Sequence, residues 1–143
     1  MEIIAREKFQ ERLQNEWLSF VESYRRLDPA AQRAYLDQQG YSSFGCLLGH
    51  IIAWWQDGAL NIQKMRADPA FALAEYDVDA FNARAVEKYR STSEPAMLQA
   101  FEAQRQAMLS LVNGLSGAEI SQENINTRLY YEILMHWKEH ELS

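Results

Sequence analysis

The sequence has one cysteine, no basic run and no long apolar segment, and each absence excludes a class of protein. Because Cys46 is the only cysteine among 143 residues, no disulfide can form within the chain. The formal charge is −6, so we do not expect nucleic-acid binding, which requires cations to displace the counterions of phosphates. Apolar stretches such as residues 51–55 are too short to cross a bilayer. Since the N-terminus also lacks a signal-peptide pattern, we expect a cytoplasmic protein without a membrane partner.

Strand patterns are also missing, and the large apolar residues recur at helical spacing instead. No run alternates valine, isoleucine or threonine with polar residues, and the six glycines lie near helix ends or inside one helix. Hydrophobic residues make up 48% of the chain and charged residues 24%, as in ordinary globular proteins. We find no repeat, low-complexity tract or linker, so the sequence predicts one all-α domain over residues 1–143.

Four apolar stripes predict four long helices joined by short accessory helices. The long helices are predicted at residues 3–27, 44–67, 94–113 and 124–143, and the short ones at 29–36 and 80–90. Asp28, Ser42 or Ser43, and Ser93 precede helical segments and are typical N-caps. Asn113 and Gly114 predict a left-handed C-cap for the third long helix. Four long helices of this kind indicate a four-helix bundle.

The three histidines of the chain are the strongest chemical signal in the sequence. His136 and His140 are four residues apart on one helix, so both imidazoles leave the same face and can bind one ion. His50 lies on another helix, and three imidazoles would leave coordination positions open, as in catalytic zinc sites. The alternative is that each histidine is separately structural, with His140 a favourable charge near a helix C-terminus. Cys46, one turn before His50, is interpreted as a packing residue.

Carboxylates and a tryptophan flank the histidines on their helices. Trp54 and Asp57 continue the line of His50 along the second long helix, and Glu132 and Glu139 flank the histidine pair. Asp57 and Glu139 are therefore the candidate catalytic residues, as a general base or as partners that orient a ligand imidazole. The alternative for each of these carboxylates is a solvated helix surface.

Two segments that contain the histidines resemble the DinB-like (DinB/YfiT) superfamily. They are LLGHIIAWW at residues 47–55 and HWKEH at residues 136–140, while DAFNAR at residues 79–84 resembles the ClbS/DfsB branch. The resemblance implies a four-helix bundle, often a homodimer, in which three histidines hold a divalent metal, nickel or zinc. It assigns His50, His136 and His140 as the ligands.

The resemblance also implies a range of activities on small molecules. Such relatives include S-transferases that use bacillithiol or mycothiol, a thiol-dependent maleylpyruvate isomerase, and a hydrolase that protects against a genotoxin. We therefore expect a metal-dependent enzyme of the thiol-dependent S-transferase or hydrolase type, with a small-molecule substrate and a low-molecular-weight thiol as a further partner. The alternative is a non-catalytic protein that binds a metal or small molecule in stress or resistance. Because three residues follow His140, we expect the order of the last turn to depend on metal or on a neighbour.

Overall fold

The predicted helical segments pack side by side as a four-helix bundle in a computed structural model that describes residues 2–142. Within that range the chain forms α-helices and one π-helical segment, with no strand. In chain order the elements are α1 (Arg6–Gln14), α2 (Glu16–Arg25), α3 (Pro29–Gln39), α4 (Phe44–Ala67), α5 (Val78–Tyr89), α6 (Glu94–Gly114), α7 (Gly117–Ile120), α8 (Glu123–Leu129), the π-helical segment (Tyr130–Met135) and α9 (His136–His140). The all-α prediction is confirmed, while the predicted domain ends Met1 and Ser143 lie outside the described residues. No helix in residues 2–142 combines the length and apolar character of a membrane span.

A cluster of aromatic rings fills the centre of the bundle. Trp17 from α2 meets Trp55 from α4 edge to face, with ring centroids 4.8 Å apart. Phe101 from α6 packs on both tryptophans, and Phe20 closes the cluster. These four side chains are fully buried, so they exclude water from the centre of the bundle.

The predicted first helix over residues 3–27 is interrupted, and in this respect the prediction was wrong. Helix α1 ends at Gln14, and Asn15 departs from helical geometry with φ −112° and ψ −78° before α2 begins. The buried Arg105 of α6 donates a hydrogen bond of 2.9 Å to the carbonyl of Leu13. A side chain that bonds to the helix backbone in this way is a usual cause of a kink.

Three predicted N-caps are confirmed at the starts of helices, whereas the predicted left-handed C-cap is wrong. Asp28, Ser43 and Ser93 each accept a hydrogen bond from the backbone N–H three residues later, as predicted. Gly114 is an ordinary helical residue, because α6 ends in the extended backbone of Leu115, whose buried side chain turns the chain into the core. Among the described residues only Gly40, after α3, has a positive φ, of 85°.

The last predicted helix is divided by the π-helical segment. The indole of Trp17 donates to the carbonyl of Ile133 at 2.9 Å, and that of Trp55 donates to the carbonyl of Glu132 at 2.8 Å. Both carbonyls lie inside the π-helical segment, where the widened turn departs from ordinary α-helical bonding. The two buried tryptophans therefore hold the segment that precedes both histidines of α9.

Helix α3 holds the end of the chain in place. It extends to Gln39, beyond the predicted limit at residue 36. Tyr35 donates its hydroxyl proton to the carbonyl of His140, and the amide nitrogen of Gln39 donates to the carbonyl of Glu139 at 3.1 Å. The last turn is thus tied to a neighbouring helix within the same chain.

Candidate metal centre

The fold brings His50, His136 and His140 together between α4 and α9. One ring nitrogen from each residue lies within 4.8 Å of the others, and all three side chains are buried. The Nε2 atoms of His50 and His136 are 3.3 Å apart. The two helices thus bring the three predicted histidines together.

The tautomer of His50 is fixed by Asn82 of α5. The Nδ1 atom of His50 is 3.2 Å from the Oδ1 atom of Asn82, which also accepts the indole N–H of Trp54 at 2.8 Å. Because an indole nitrogen can only donate, the atom that faces both groups is the amide oxygen. His50 therefore carries its proton on Nδ1 and presents an unprotonated Nε2 to the cluster.

Gln39 fixes the tautomer of His140 in the same manner. The amide nitrogen of Gln39 donates to the carbonyl of Glu139, so its Oε1 atom is the one 2.7 Å from Nδ1 of His140. The proton of His140 consequently lies on Nδ1. Its Nε2 atom is buried, faces the cluster and has no hydrogen-bond partner within the described chain.

The third ring, that of His136, cannot satisfy every nitrogen of the cluster by hydrogen bonding. If His136 donates from Nε2 to His50, its own Nδ1 is left buried without a partner, 3.9 Å from Glu132 Oε1. If the proton is on Nδ1, two unprotonated Nε2 atoms face each other. Buried polar atoms without partners are rare in folded proteins. One cation between the three rings would satisfy Nε2 of His140 and separate the two facing Nε2 atoms of His50 and His136, and the proton of His136 would then lie on Nδ1, towards Glu132. The donor set fits a divalent metal that prefers imidazole nitrogen.

Burial keeps the three imidazoles neutral. Desolvation lowers the pKa of His50 to about 4. Desolvation and the neighbouring His50 lower the pKa of His140 to about 3, and desolvation with both neighbours lowers the pKa of His136 well below 6.5. Since only the neutral ring can ligate, the histidines are in the protonation state that metal binding requires at neutral pH.

A buried charge network adjoins the histidines on the side of α8. Arg128 Nη2 lies 2.8 Å from Glu132 Oε2 and 2.9 Å from Asp57 Oδ2. The hydroxyl of Tyr76 donates to Asp57, and the amide nitrogen of Asn61 bonds to the same oxygen at 3.1 Å. Asp57 is thus held by three donors. Burial raises the pKa of the other carboxyl group in the network, that of Glu132, to about 8.

Two of the three histidines, His50 and His136, open onto a cavity of about 980 Å³ that is also lined by Glu139. His50, His136 and Glu132 line it together with Glu139, whose pKa is raised by desolvation. Asp57 does not line the cavity but contacts two residues of its lining, Arg128 and Tyr76. The catalytic roles of Asp57 and Glu139 remain predictions. Cys46 is buried and lies outside the lining, in keeping with a packing residue.

The sequence analysis missed the partners that orient the histidines and the arginine beside them. Gln39, Asn82, Arg128 and Tyr76 come from four different elements or loops. The spacing of Gln39, Asn82 and Tyr76 relative to the histidines carries no periodic signal, so only the fold reveals them, whereas Arg128 lies eight residues before His136 and could have been found from helical spacing. Glu132 was recognised as a flanking carboxylate, and its contact with Arg128 four residues earlier is an ordinary helical pair.

Comparison with protein families gives a match that spans almost the whole chain. A family described as the DinB superfamily matches residues 7–142. Searches of curated proteins and of solved structures found no match.

Proposed function

Because this chain belongs to the DinB superfamily, whose members bind divalent metals, we propose that it is a metal-dependent enzyme acting on a small molecule. The predicted superfamily is thereby confirmed, while its ClbS/DfsB branch remains a prediction. His50, His136 and His140 would hold the ion, and nickel or zinc suits three imidazole ligands best. The observation that carries the proposal is the convergence of three imidazole nitrogens beside a large cavity, two of the rings having their protons fixed on the far side.

The chemistry needs a nucleophile that is ionised at neutral pH and a place for its proton. When bound, a divalent ion lowers the pKa of a coordinated water or thiol towards neutrality. Glu139, on the cavity wall next to His140, would accept that proton at its carboxylate. Glu132 would face the Nδ1 proton of His136 and steady that ring. Asp57 would act as a positioning residue, because it holds Arg128 against Glu132.

Two reactions share this first step. In thiol transfer, the sulfur forms a bond to an electrophilic carbon and the leaving group departs with its electron pair. In hydrolysis, a water oxygen forms that bond instead. In both cases the proton of the nucleophile passes to Glu139. The proposal therefore covers a thiol-dependent S-transferase and a hydrolase, with a small-molecule substrate and, for the transferase, a low-molecular-weight thiol.

Metal analysis tests the site. Protein purified without a histidine tag or chelator should contain about one nickel or zinc ion per chain, and His136→Ala should lose it. Cys46→Ser is the matched control, because it removes a buried soft ligand that lies outside the cavity, and it should retain the metal. Well-folded wild-type protein that takes up neither metal would refute the proposal.

Turnover tests the enzyme. Loaded protein should consume 1-chloro-2,4-dinitrobenzene with 2-mercaptoethanol, or hydrolyse 4-nitrophenyl acetate, and Glu139→Gln should lower kcat at unchanged metal content. Loss of catalysis by about two to four orders of magnitude is typical when a general base is removed. Loaded protein that turns over neither class of substrate would instead be a binding protein for metal or small molecules.

A further inference from the structure

The cavity beside the histidines has an unusual balance of charge. Among the described residues that line it, Arg128 is the only arginine or lysine. Its two terminal nitrogens are already bound to Tyr76, Asp57 and Glu132, and its Nε, which has no partner in the described chain, is buried away from the cavity surface. Two further carboxylates of the lining, Glu123 and Glu139, form no salt bridge with any residue from 2 to 142. An anionic ligand would therefore meet carboxylates and no available cationic side chain along the walls.

Apolar side chains surround the mouth of the same cavity. Val78 and Tyr131, 51% and 58% exposed, lie on its rim together with Leu73. Exposed apolar groups gathered around one cavity are typical of binding sites for apolar molecules. Deeper in the cavity, Trp54 and Tyr76 pack ring against ring with centroids 5.2 Å apart. They offer flat surfaces to an aromatic ligand.

We infer that this cavity binds an apolar, aromatic molecule whose body carries no negative charge, and that it rejects ligands with carboxylate-bearing bodies. The inference rests on the proposed function only for the group that meets the histidines. The rest of the ligand, which does not touch the histidines, is selected by the apolar rim of the cavity and by the unpaired carboxylates of its lining. Like charges brought together in a partly dehydrated cavity repel strongly, so selection against anions follows from the fixed charges of the lining.

Two anthracene dyes that share one ring system and differ in a single substituent test the selection against negative charge. Titration of metal-free protein with 1-aminoanthracene, uncharged at pH 7, and with 1-anthracenecarboxylate, an anion, gives the two affinities by fluorescence. We expect the uncharged dye to bind at least tenfold more tightly. Equal affinities, or tighter binding of the carboxylate, would overturn the inference.

Matched variants locate the dye and the source of the selectivity. Leu73→Asp should weaken binding of the uncharged dye, whereas Leu60→Asp should not, because Leu60 is 56% exposed on α4 and lies outside the cavity. Glu123→Lys should reduce the preference for the uncharged dye at least threefold. Glu7→Lys makes the same charge change in the first turn of another helix and should leave the preference intact. Equal effects of each variant and its control would contradict the inference.

The experiment also separates this inference from the proposed function. Dye binding uses protein treated with a chelator, so it reports on the cavity whether or not a metal binds. Metal content without dye selectivity would refute only the inference about the ligand, and dye selectivity without metal would refute only the metal-dependent function. If dye affinity falls as protein concentration rises and dimers form, a second copy of the chain covers the mouth, and the inference is wrong.

Discussion

At the scale of single residues, two amide side chains define the chemistry of the candidate site. Asn82 and Gln39 present oxygens to the Nδ1 atoms of His50 and His140. Each amide is itself oriented by a second hydrogen bond, from Trp54 to Asn82 and from Gln39 to the backbone. These partners place the unprotonated nitrogens where one ion can reach them, and they fix the rings before any ion arrives.

Removal of one amide oxygen should weaken metal binding without removing a ligand. Asn82→Ala leaves His50 free to rotate and to exchange tautomers, so we expect a tenfold to hundredfold rise in the dissociation constant for zinc, measured by competition with a chromogenic chelator. Asn113→Ala is the control, since the Asn113 side chain lies at the surface, where its Oδ1 atom accepts a hydrogen bond from Gln10. An unchanged affinity in Asn82→Ala would show that Asn82 does not position His50.

The buried histidines also predict how the stability of the metal-free protein depends on pH. The pKa of His50 is about 4 in the folded chain, against an ordinary value of 6.5. Below pH 6.5 the unfolded chain therefore binds more protons, and the free energy of unfolding falls as the pH drops from about 6.5 to about 4. The loss should be of the order of 1 kcal/mol per pH unit.

Urea unfolding in the presence of chelator, repeated from pH 7 to pH 4.5, measures this dependence. Carboxylates protonate in the same range, so the wild type is compared with His50→Gln, which has one titrating group fewer. The slope against pH should be shallower in the variant. Parallel curves would mean that His50 does not contribute to the acid sensitivity.

At the scale of elements, α4 and the π-helical segment approach unusually closely. A Cβ atom built on Gly58 of α4 would lie 2.8 Å from both Cγ and Oε2 of Glu132. Glu132 cannot move away freely, because it is buried and held by Arg128. Gly58 therefore allows the carboxylate to lie between the two helices, beside His136.

Two alanine substitutions in α4 should have opposite effects. Gly45→Ala adds a Cβ that makes only ordinary contacts of 3.6 Å or more, so it should stabilise the protein by up to about 1 kcal/mol through helix propensity. Gly58→Ala should destabilise it and weaken zinc binding, because Glu132 must leave its place. Urea unfolding and zinc titration of both variants provide the measurement. Stabilisation of both would show that Glu132 is free to move.

The tryptophans that bond to the π-helical segment give a second prediction at this scale. Trp55→Phe keeps a buried ring but leaves the carbonyl of Glu132 without its donor, so it should lower the free energy of unfolding by about 1–3 kcal/mol. Trp137→Phe is the control. It makes the same exchange, but in the described chain the Trp137 indole forms no hydrogen bond to this segment, so the free energy of unfolding should fall by less. Equal losses of stability in urea would contradict a specific role for the Trp55 bond.

At the scale of the whole molecule, the candidate site joins elements distant in sequence. The ligands come from α4 and α9, and their orienting amides come from α3 and α5. The cavity is lined mainly by α4, the loop after it, α5, α8, the π-helical segment and α9. An ion bound here would link helices that separate when the chain unfolds. Binding should therefore stabilise the native fold by mass action.

The homodimer implied by the resemblance remains a prediction, to be checked by sedimentation equilibrium.

Metal removal should lower the stability of the whole bundle. At a free zinc concentration one hundred times the dissociation constant, the free energy of unfolding should exceed that of chelator-treated protein by about 2.7 kcal/mol. His140→Ala should abolish this gain, and Cys46→Ser should preserve it. A gain of the same size in His140→Ala would place the stabilising ion elsewhere.

The sequence by itself determined the helical class, three N-caps and the residues that can ligate a metal. Apolar spacing and capping chemistry are local, so they can be read along the chain, and His136 and His140 share a face because four residues make about one helical turn. The break at Asn15, the π-helical segment and the end of α6 at Leu115 depend on contacts with distant residues. Tertiary structure alone decided that His50 meets the other two histidines and that amide oxygens from α3 and α5 turn the bare nitrogens inward. Such partners leave no periodic trace in the sequence, because their positions are set by packing between helices rather than by spacing within one.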